Sequence, residues 1–474
     1  MTAEAKKKGG LKQFPLTYWV VIIFEFFERG AYYGVMSILS VYLTDMLGFT
    51  KTEVGAIKGT IQPLLYILPI LSGAIADRMG YRKTLLVAFS LLGLGYVLTS
   101  QVTDYLPVFM FLIIMAFGAG TFKPIISGTI AKVTNESNST LGFGIFYWSI
   151  NLGAFIFPLL IVPYLKSLDW SYVLLLAGVV TGLMVIPTLF FYKEPDRQKQ
   201  DNTSFGEVLL DIFNKIKMVF LDWRFILFIF IYSWFWILYF QMFDSVLWYV
   251  REFVDASELN AFVNSITGLN WSFDIEHVTV INAGTIILLQ ILVSTLVRNT
   301  KALPTLIIGI SIGTIGMAIL AISPSIWVFL IGIFLFSIGE MTAHPKFIAY
   351  LGTIAPPDKK ATYMGFGFMY GFFGSLIGGF LGAWLYVKFI DNPMIAFIRN
   401  AISERNLNAV LPDGVVIAEA LKIADSVGIT KSEVVQYAYT SELWLVFSGI
   451  GVMCIIGLLL YQKFIGARDA SNIK

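Results

Sequence analysis

An all-α polytopic membrane protein, with about twelve transmembrane helices in two six-helix bundles, is the fold class this sequence predicts. Three observations lead there. Of 474 residues, 57% are hydrophobic and only 14% charged, where soluble domains carry about 25% charged residues. Apolar runs close to the ~20 residues that span a hydrocarbon core recur along the whole chain. The 41 Phe, 22 Tyr and 11 Trp exceed what a soluble core uses but suit lipid-facing helices with aromatic belts at both interfaces.

The first six predicted spans are Leu16–Leu43, Val54–Ala76, Thr84–Ser100, Leu106–Ala131, Leu141–Leu165 and Trp170–Tyr192. No small-residue cleavage site follows the first, so it is read as a retained helix and not a signal peptide. A polar stretch, Lys193–Lys217, separates them from Phe220–Val250, Val278–Val297, Leu303–Ile322, Ile326–Leu351, Thr362–Val387 and Leu443–Tyr461. The expected domains are therefore 1–192, a cytoplasmic linker over 193–219 and 220–474. Within the linker, Phe205–Lys217 has the spacing of an amphipathic interfacial helix. An insertion over 389–440, carrying Asp391-Asn392-Pro393 and Leu411-Pro412-Asp413-Gly414, is expected outside the membrane as a lid, a partner surface or a loop without function.

Basic residues set the orientation, because cytoplasmic loops carry an excess of Lys and Arg. Lys6, Lys7, Lys8 and Lys12, then Arg78, Arg82 and Lys83, Lys132, the linker basics, Arg298 and Lys301, Lys359 and Lys360, and Lys463 fall on one side. Both termini are expected in the cytoplasm, in a cell (inner) membrane; Lys51, Lys58 and Lys166 break the pattern. The sequon Asn202-Thr203-Ser204 falls in the cytoplasmic linker and carries no weight. One Cys, Cys454, excludes an internal disulfide, and two His, His277 and His344, are too few for a His-based metal centre. A formal net charge of +2 without a basic, aromatic-rich patch gives no reason to expect nucleic acid. No cofactor is expected.

Charge inside the bilayer points to function, since each ionised group at a helix centre costs about 2.5–3.5 kcal/mol to insert. The first span carries Glu25, Glu28 and Arg29. Glu25 and Arg29 are an i, i+4 pair in the favourable order, whereas Glu28 lies about 100° round the helix from Arg29. One carboxylate can neutralise the Arg and leave the other to titrate. Lys123 lies beside Pro124 in a Gly-rich stretch, and Glu340 plays the mirror part in the second half, with His344 one turn on along the same face. His344 is read first as a hydrogen-bonded packing residue, second as a proton relay. Asp244 is the remaining deep acid. Cations in one half and acids in the other suit a zwitterionic solute, and buried acids beside cations suit proton carriage.

Gly73-Ala74-Ile75-Ala76-Asp77-Arg78-Met79-Gly80-Tyr81-Arg82-Lys83 resembles the loop between the second and third helices of the major facilitator superfamily. Within that superfamily, Glu25-Phe26-Phe27-Glu28-Arg29-Gly30-Ala31-Tyr32-Tyr33-Gly34 resembles the ExxERFxYYG signature of proton-dependent oligopeptide transporters. Phe146-Tyr147-Trp148-Ser149-Ile150-Asn151-Leu152-Gly153 resembles that family's FYxxINxG signature. The resemblance implies a monomer that imports di- and tripeptides by alternating access, driven by the proton gradient. It implies that Glu25, Glu28, Arg29 and Lys123, with Glu340 and Asp244, couple protons. Arg29 and Lys123 would draw the peptide carboxylate, Asn282 and Glu340 would hold the amine, and Tyr32, Tyr33, Tyr66 and Asn151 would line the pocket. A salt bridge from Lys123 to Glu25 or Glu28 is expected in the empty, outward-facing state.

Three positions depart from the family pattern. Gly30 stands where the signature has Phe, which should loosen packing behind the acids. Phe240 precedes Gln241 where an acid is common, and Asp244, four residues on, could present a carboxylate on the same face. Gly367 stands where a pocket Trp is expected, which should widen the pocket. No extra helix pair lies between the halves. The alternative reading is a proton-coupled transporter of another small solute, such as an organic anion or modified peptide. A membrane-embedded enzyme using His344 and Glu340 is disfavoured, because no HExxH, paired metal-ligand set or Ser elbow is present. A sensor without transport is the other reading from outside the class.

Overall fold

The computed structural model describes residues 13–135, 138–195 and 205–466. The N-terminal Lys cluster and the sequon at Asn202 lie outside them. Six helices come first: α1 (Leu16–Met36), α2 (Lys51–Met79), α3 (Tyr81–Thr99), α4 (Tyr105–Val133), α5 (Ser139–Leu168) and α6 (Ser171–Phe190). After α1 the chain makes a short turn, Leu39–Val41, and a π turn, Tyr42–Met46. The linker helix α7 (Phe205–Leu221) follows. Then come α8 (Trp223–Gln241), α9 (Ser245–Phe253), α10 (Ser257–Thr267), α11 (His277–Val297), α12 (Ala302–Ile319), α13 (Ile326–Ile354), α14 (Thr362–Glu404), α15 (Ile417–Ser426), α16 (Lys431–Val434) and α17 (Thr440–Ile465).

Eleven helices among the described residues are long and apolar enough to cross a membrane, α8 and α9 counting as one. The twelfth expected span, α1, has 21 residues but carries three charges in its middle. The protein is thus an all-helical integral membrane protein, as expected.

Three elements differ from expectation. The seventh span is broken at 242–244, where i, i+3 bonds tighten the chain and Asp244 leaves helical geometry to open α9. Asp391-Asn392-Pro393 does not end a helix. The backbone passes through a π turn, Val387–Asp391, and Pro393 falls in the first turn of the next segment, where its missing N–H and fixed φ are tolerated. The polar helix α10 was not foreseen; it stops on Gly268, whose φ of +69° only glycine adopts freely.

By packing, the chain forms two compact units: Met1–Val35 with Leu64–Lys215, and Met36–Pro63 with Ile216–Lys474. Small residues bring backbones together in each. A Cβ on Gly118 of α4 would meet the Leu92 backbone of α3 at 2.7 Å, and one on Gly339 of α13 would meet the Gly309 carbonyl of α12 at 2.6 Å. Lipid gives helices no hydrophobic reason to associate, so such close approach supplies the contact.

Candidate functional site

In the first unit α1 carries the acids. Glu25, Glu28 and Arg29 are 4%, 1% and 5% exposed. Glu28, the immediate neighbour, takes Arg29 in a two-pronged pair at 2.5 and 2.7 Å, while Glu25 stands at 3.6 Å. The i, i+4 partner expected from helix spacing is therefore the weaker one. The Arg side chain is long enough to fold back, and its planar fork matches a carboxylate edge. Arg29 also lies over the Tyr32 ring, 4.9 Å from its centroid, and Tyr32 meets Tyr33 edge to face at 5.2 Å.

The half-buried Lys123 of α4 stands over the Tyr66 ring of α2 at 5.2 Å. Its charged neighbours are Arg29, Glu28 and Glu25, although it makes no salt bridge with either acid among the described residues. Asn151 donates to the Tyr147 carbonyl of its own helix at 2.9 Å. Gly153 lets α5 press on α1: a Cβ there would stand 2.6 Å from the Phe26 carbonyl. Sequence reasoning missed Tyr96 of α3, which is 1% exposed and whose hydroxyl has no partner among the described residues. Glu28, Tyr32 and Arg29 are its electrostatic neighbours.

In the second unit, Asn282 of α11 donates to Glu340 of α13 at 3.0 Å and to Ser337 at 3.0 Å. The amide orients one carboxylate oxygen and leaves the other for a cation. His344, one turn on, sits 3.4 Å from the Tyr232 hydroxyl and packs among Trp236, Phe347 and Tyr370. That is the geometry of a packing residue with one hydrogen-bond partner.

Asp244 lies in the same unit and is not solvated. It is 4% exposed and accepts from Ser40 at 2.7 Å, with the Lys58 ammonium at 3.1 Å. Lys58 is fully buried and also donates to the Phe243 carbonyl at 3.2 Å. Lys51, two helical turns before it, is 4% exposed and bonds Glu252 and Asp391 at 2.7 Å each, below the Tyr386 ring at 4.3 Å. Counting Lys51 and Lys58 as loop cations overlooked this network. Lys58 falls inside the predicted Val54–Ala76 span, and that was the available signal.

Two of the three departures, Gly30 and Gly367, resolve differently from expectation. The Phe157 ring fills the space beside Gly30, where a Cβ would meet its Cγ at 2.7 Å, so packing behind the acids is not loosened. Gly367 does not widen a cavity; a Cβ there would strike the Leu351 side chain. Phe240 is 3% exposed among Trp236 and Tyr239, and Gln241 ties α8 to the Gly378 carbonyl at 3.1 Å and to Ser245 at 2.8 Å.

Residues 21–379 match the Major Facilitator Superfamily. Dipeptide and tripeptide permease A of Klebsiella pneumoniae (strain 342) is 28% identical over 196 residues, 40% of this chain and 39% of that one. Dipeptide and tripeptide permease B of Aliivibrio fischeri (strain MJ11) is 31% identical over 182 residues, 38% of this chain and 36% of that one. The matches span about two fifths of these curated relatives. Among solved structures, a peptide transporter POT in complex with sulfate has a TM-score of 0.71 at 16% identity, covering 98% of this chain and 96% of that one. A POT family transporter in complex with 5-aminolevulinic acid has a TM-score of 0.68 at 20% identity, covering 96% and 97%. A nucleoside transporter has a TM-score of 0.66 at 16% identity, covering 94% and 99%.

Proposed function

The chain belongs to the Major Facilitator Superfamily, and on that premise we propose that it is a proton-coupled symporter importing di- and tripeptides across a cell (inner) membrane, both termini in the cytoplasm. The resemblance to the oligopeptide transporters stands on the two motifs and on the permeases and POT structures named above. These are transporters and not enzymes.

The observation that carries the reading is the α1 cluster: two buried acids share one Arg, with Lys123 nearby and in no ion pair with them. Two acids and one bidentate Arg leave one negative charge over, which a proton or Lys123 neutralises. A peptide carboxylate that engages Arg29 or Lys123 removes that compensation, so solute and proton bind best together. That is the thermodynamic content of coupling. In the second unit the Asn282–Glu340 pair presents an acceptor suited to the peptide amine. Lys51 and Lys58 hold the start of α2 to α9, α14 and the α8–α9 break, and alternating access would release them in turn.

Transport of another small solute is the second reading. Phe240 in place of an acid favours it, as does the likeness to a nucleoside transporter at nearly the same TM-score.

Uptake of labelled dialanine into proteoliposomes, with and without an inward proton gradient and against empty liposomes, tests the proposal. Gradient-dependent accumulation is expected. Transport of another solute that dialanine does not compete for would give the second reading precedence.

A further inference from the structure

Resting on the transport reading, we propose that the segment between α14 and α17 walls an antechamber that captures a small carboxylate-bearing solute through Lys422 and Lys431, before the solute reaches the helices.

A cavity of about 780 Å³ lies in the second unit. Residues between 44 and 52, from the π turn to the start of α2, form one wall, Arg251 and Glu252 of α9 a second, and Asp391 and Asn392 of α14 a third. Val415, Leu421, Lys422 and Lys431 close it from the inserted segment. Pockets for small ligands commonly measure about 300–1,000 Å³. The inserted wall is a packed structure. Ala420, Ala424, Ile429 and Val434 are buried, as are Met394 and Ile398 in the last part of α14. Tyr437 stacks on Phe397 at 3.8 Å, and the Tyr439 amide donates to the Phe389 carbonyl at 2.9 Å.

The charges on the walls decide the sign of the ligand. Every acid there already has a cation: Asp45 pairs with Arg251 at 3.2 Å, and Glu252 and Asp391 share Lys51 at 2.7 Å each. Lys422 and Lys431 have no carboxylate within ion-pair distance among the described residues. Two acids on one Lys leave a negative charge over, so the walls, with Lys51, Arg251, Lys422 and Lys431 against Asp45, Glu252 and Asp391, carry a net charge of +1. The two ammonium groups without a partner both lie on the inserted segment, and a concave wall focuses their field onto an entering anion. The apolar sides of Val415 and Leu421 give the body of the solute somewhere to lie. On the orientation read from basic residues, the chamber faces outward, the side from which an imported solute arrives.

The test uses the full chain in proteoliposomes with Lys422→Glu and Lys431→Glu combined; both side chains are exposed, and Lys422→Arg with Lys431→Arg is the conservative control. The charge-reversed protein is expected to raise the apparent KM for dialanine by about tenfold at low salt, with the maximal rate unchanged. The gap should close as ionic strength rises, and the Arg control should match wild type. An unchanged KM at low salt overturns the proposal. A second readout does not depend on transport. In the wild-type protein, dialanine is expected to slow acylation of Lys422 and Lys431 by an amine-reactive reagent at least threefold, whereas dialanine amide, which lacks the carboxylate, leaves the rate unchanged. Equal rates with both, or none slowed, overturn the chamber whatever the uptake assay gives; slowing by dialanine without uptake keeps the chamber and removes the transport reading.

Discussion

Lys58 and Asp244 show how much depends on one pair of side chains in this membrane protein. Neither residue has another oppositely charged partner among the described residues, and both are almost wholly withdrawn from solvent. Removing one leaves the other as an uncompensated buried charge, an effect of about 3–5 kcal/mol, while removing both leaves no charge to solvate. Lys58→Met is therefore expected to lower the thermal midpoint of the purified protein sharply, and Lys58→Met with Asp244→Asn to recover most of the loss. Losses that simply add would mean the two residues act independently. At this scale the sequence is uneven evidence. Glu25, Glu28, Arg29 and Lys123 stand out because charge inside an apolar run is conspicuous, and the structure brings them together. The partnership of Lys58 with Asp244 was not legible, because the two are far apart in the chain and only tertiary packing says which acid answers which base. The exchange of roles between Glu25 and Glu28 was hidden for another reason. Helical spacing fixes where side chains leave the backbone, and a flexible Arg chooses among the acceptors within its reach.

Among the elements, α1 and α5 show compensation that single positions do not reveal. Gly30 looked like a lost side chain, yet the Phe157 ring stands in its place, at the π turn Phe157–Ile161. Restoring the family residue alone, Gly30→Phe, should overpack the crossing and destabilise it by about 1–3 kcal/mol. Combining it with Phe157→Gly should return much of that stability, read as the thermal midpoint in detergent. A stabilising Gly30→Phe would show that the crossing holds a usable void. The spanning helices were legible because ~20 apolar residues make a signal that survives local irregularity. The misread elements lacked that signal. The helix α10 is polar and short, and the break at Asp244 sits inside an apolar run. Asp391-Asn392-Pro393 carries every local mark of a turn, but a π turn shifts the register so that Pro393 begins a segment instead of ending one.

For the whole molecule, the division by packing does not follow the division by sequence. The linker separates residues 1–192 from 220–474, but residues 36–63 pack with the second half. Three kinds of contact hold them there: Lys51 on Glu252 and Asp391, Lys58 on Asp244, and the close approach of Gly59 to the Phe380 ring of α14, where a Cβ would stand at 2.7 Å. If the protein works by alternating access, this segment must separate from its unit once in each cycle, and Ser40, fully buried beneath Asp244, must then meet water. The single native cysteine, Cys454, is buried on α17, so Ser40→Cys gives one reporter. Labelling of that cysteine by a membrane-impermeant maleimide is expected to be slow in the resting protein and to accelerate severalfold when dialanine and an inward proton gradient are present together. Gly59→Leu, which forces Phe380 aside, should speed labelling without either. Steady uptake with Ser40→Cys unreactive throughout would mean that residues 36–63 stay docked and that the path opens elsewhere. Acceleration by the gradient alone would place the opening under proton control, with solute following.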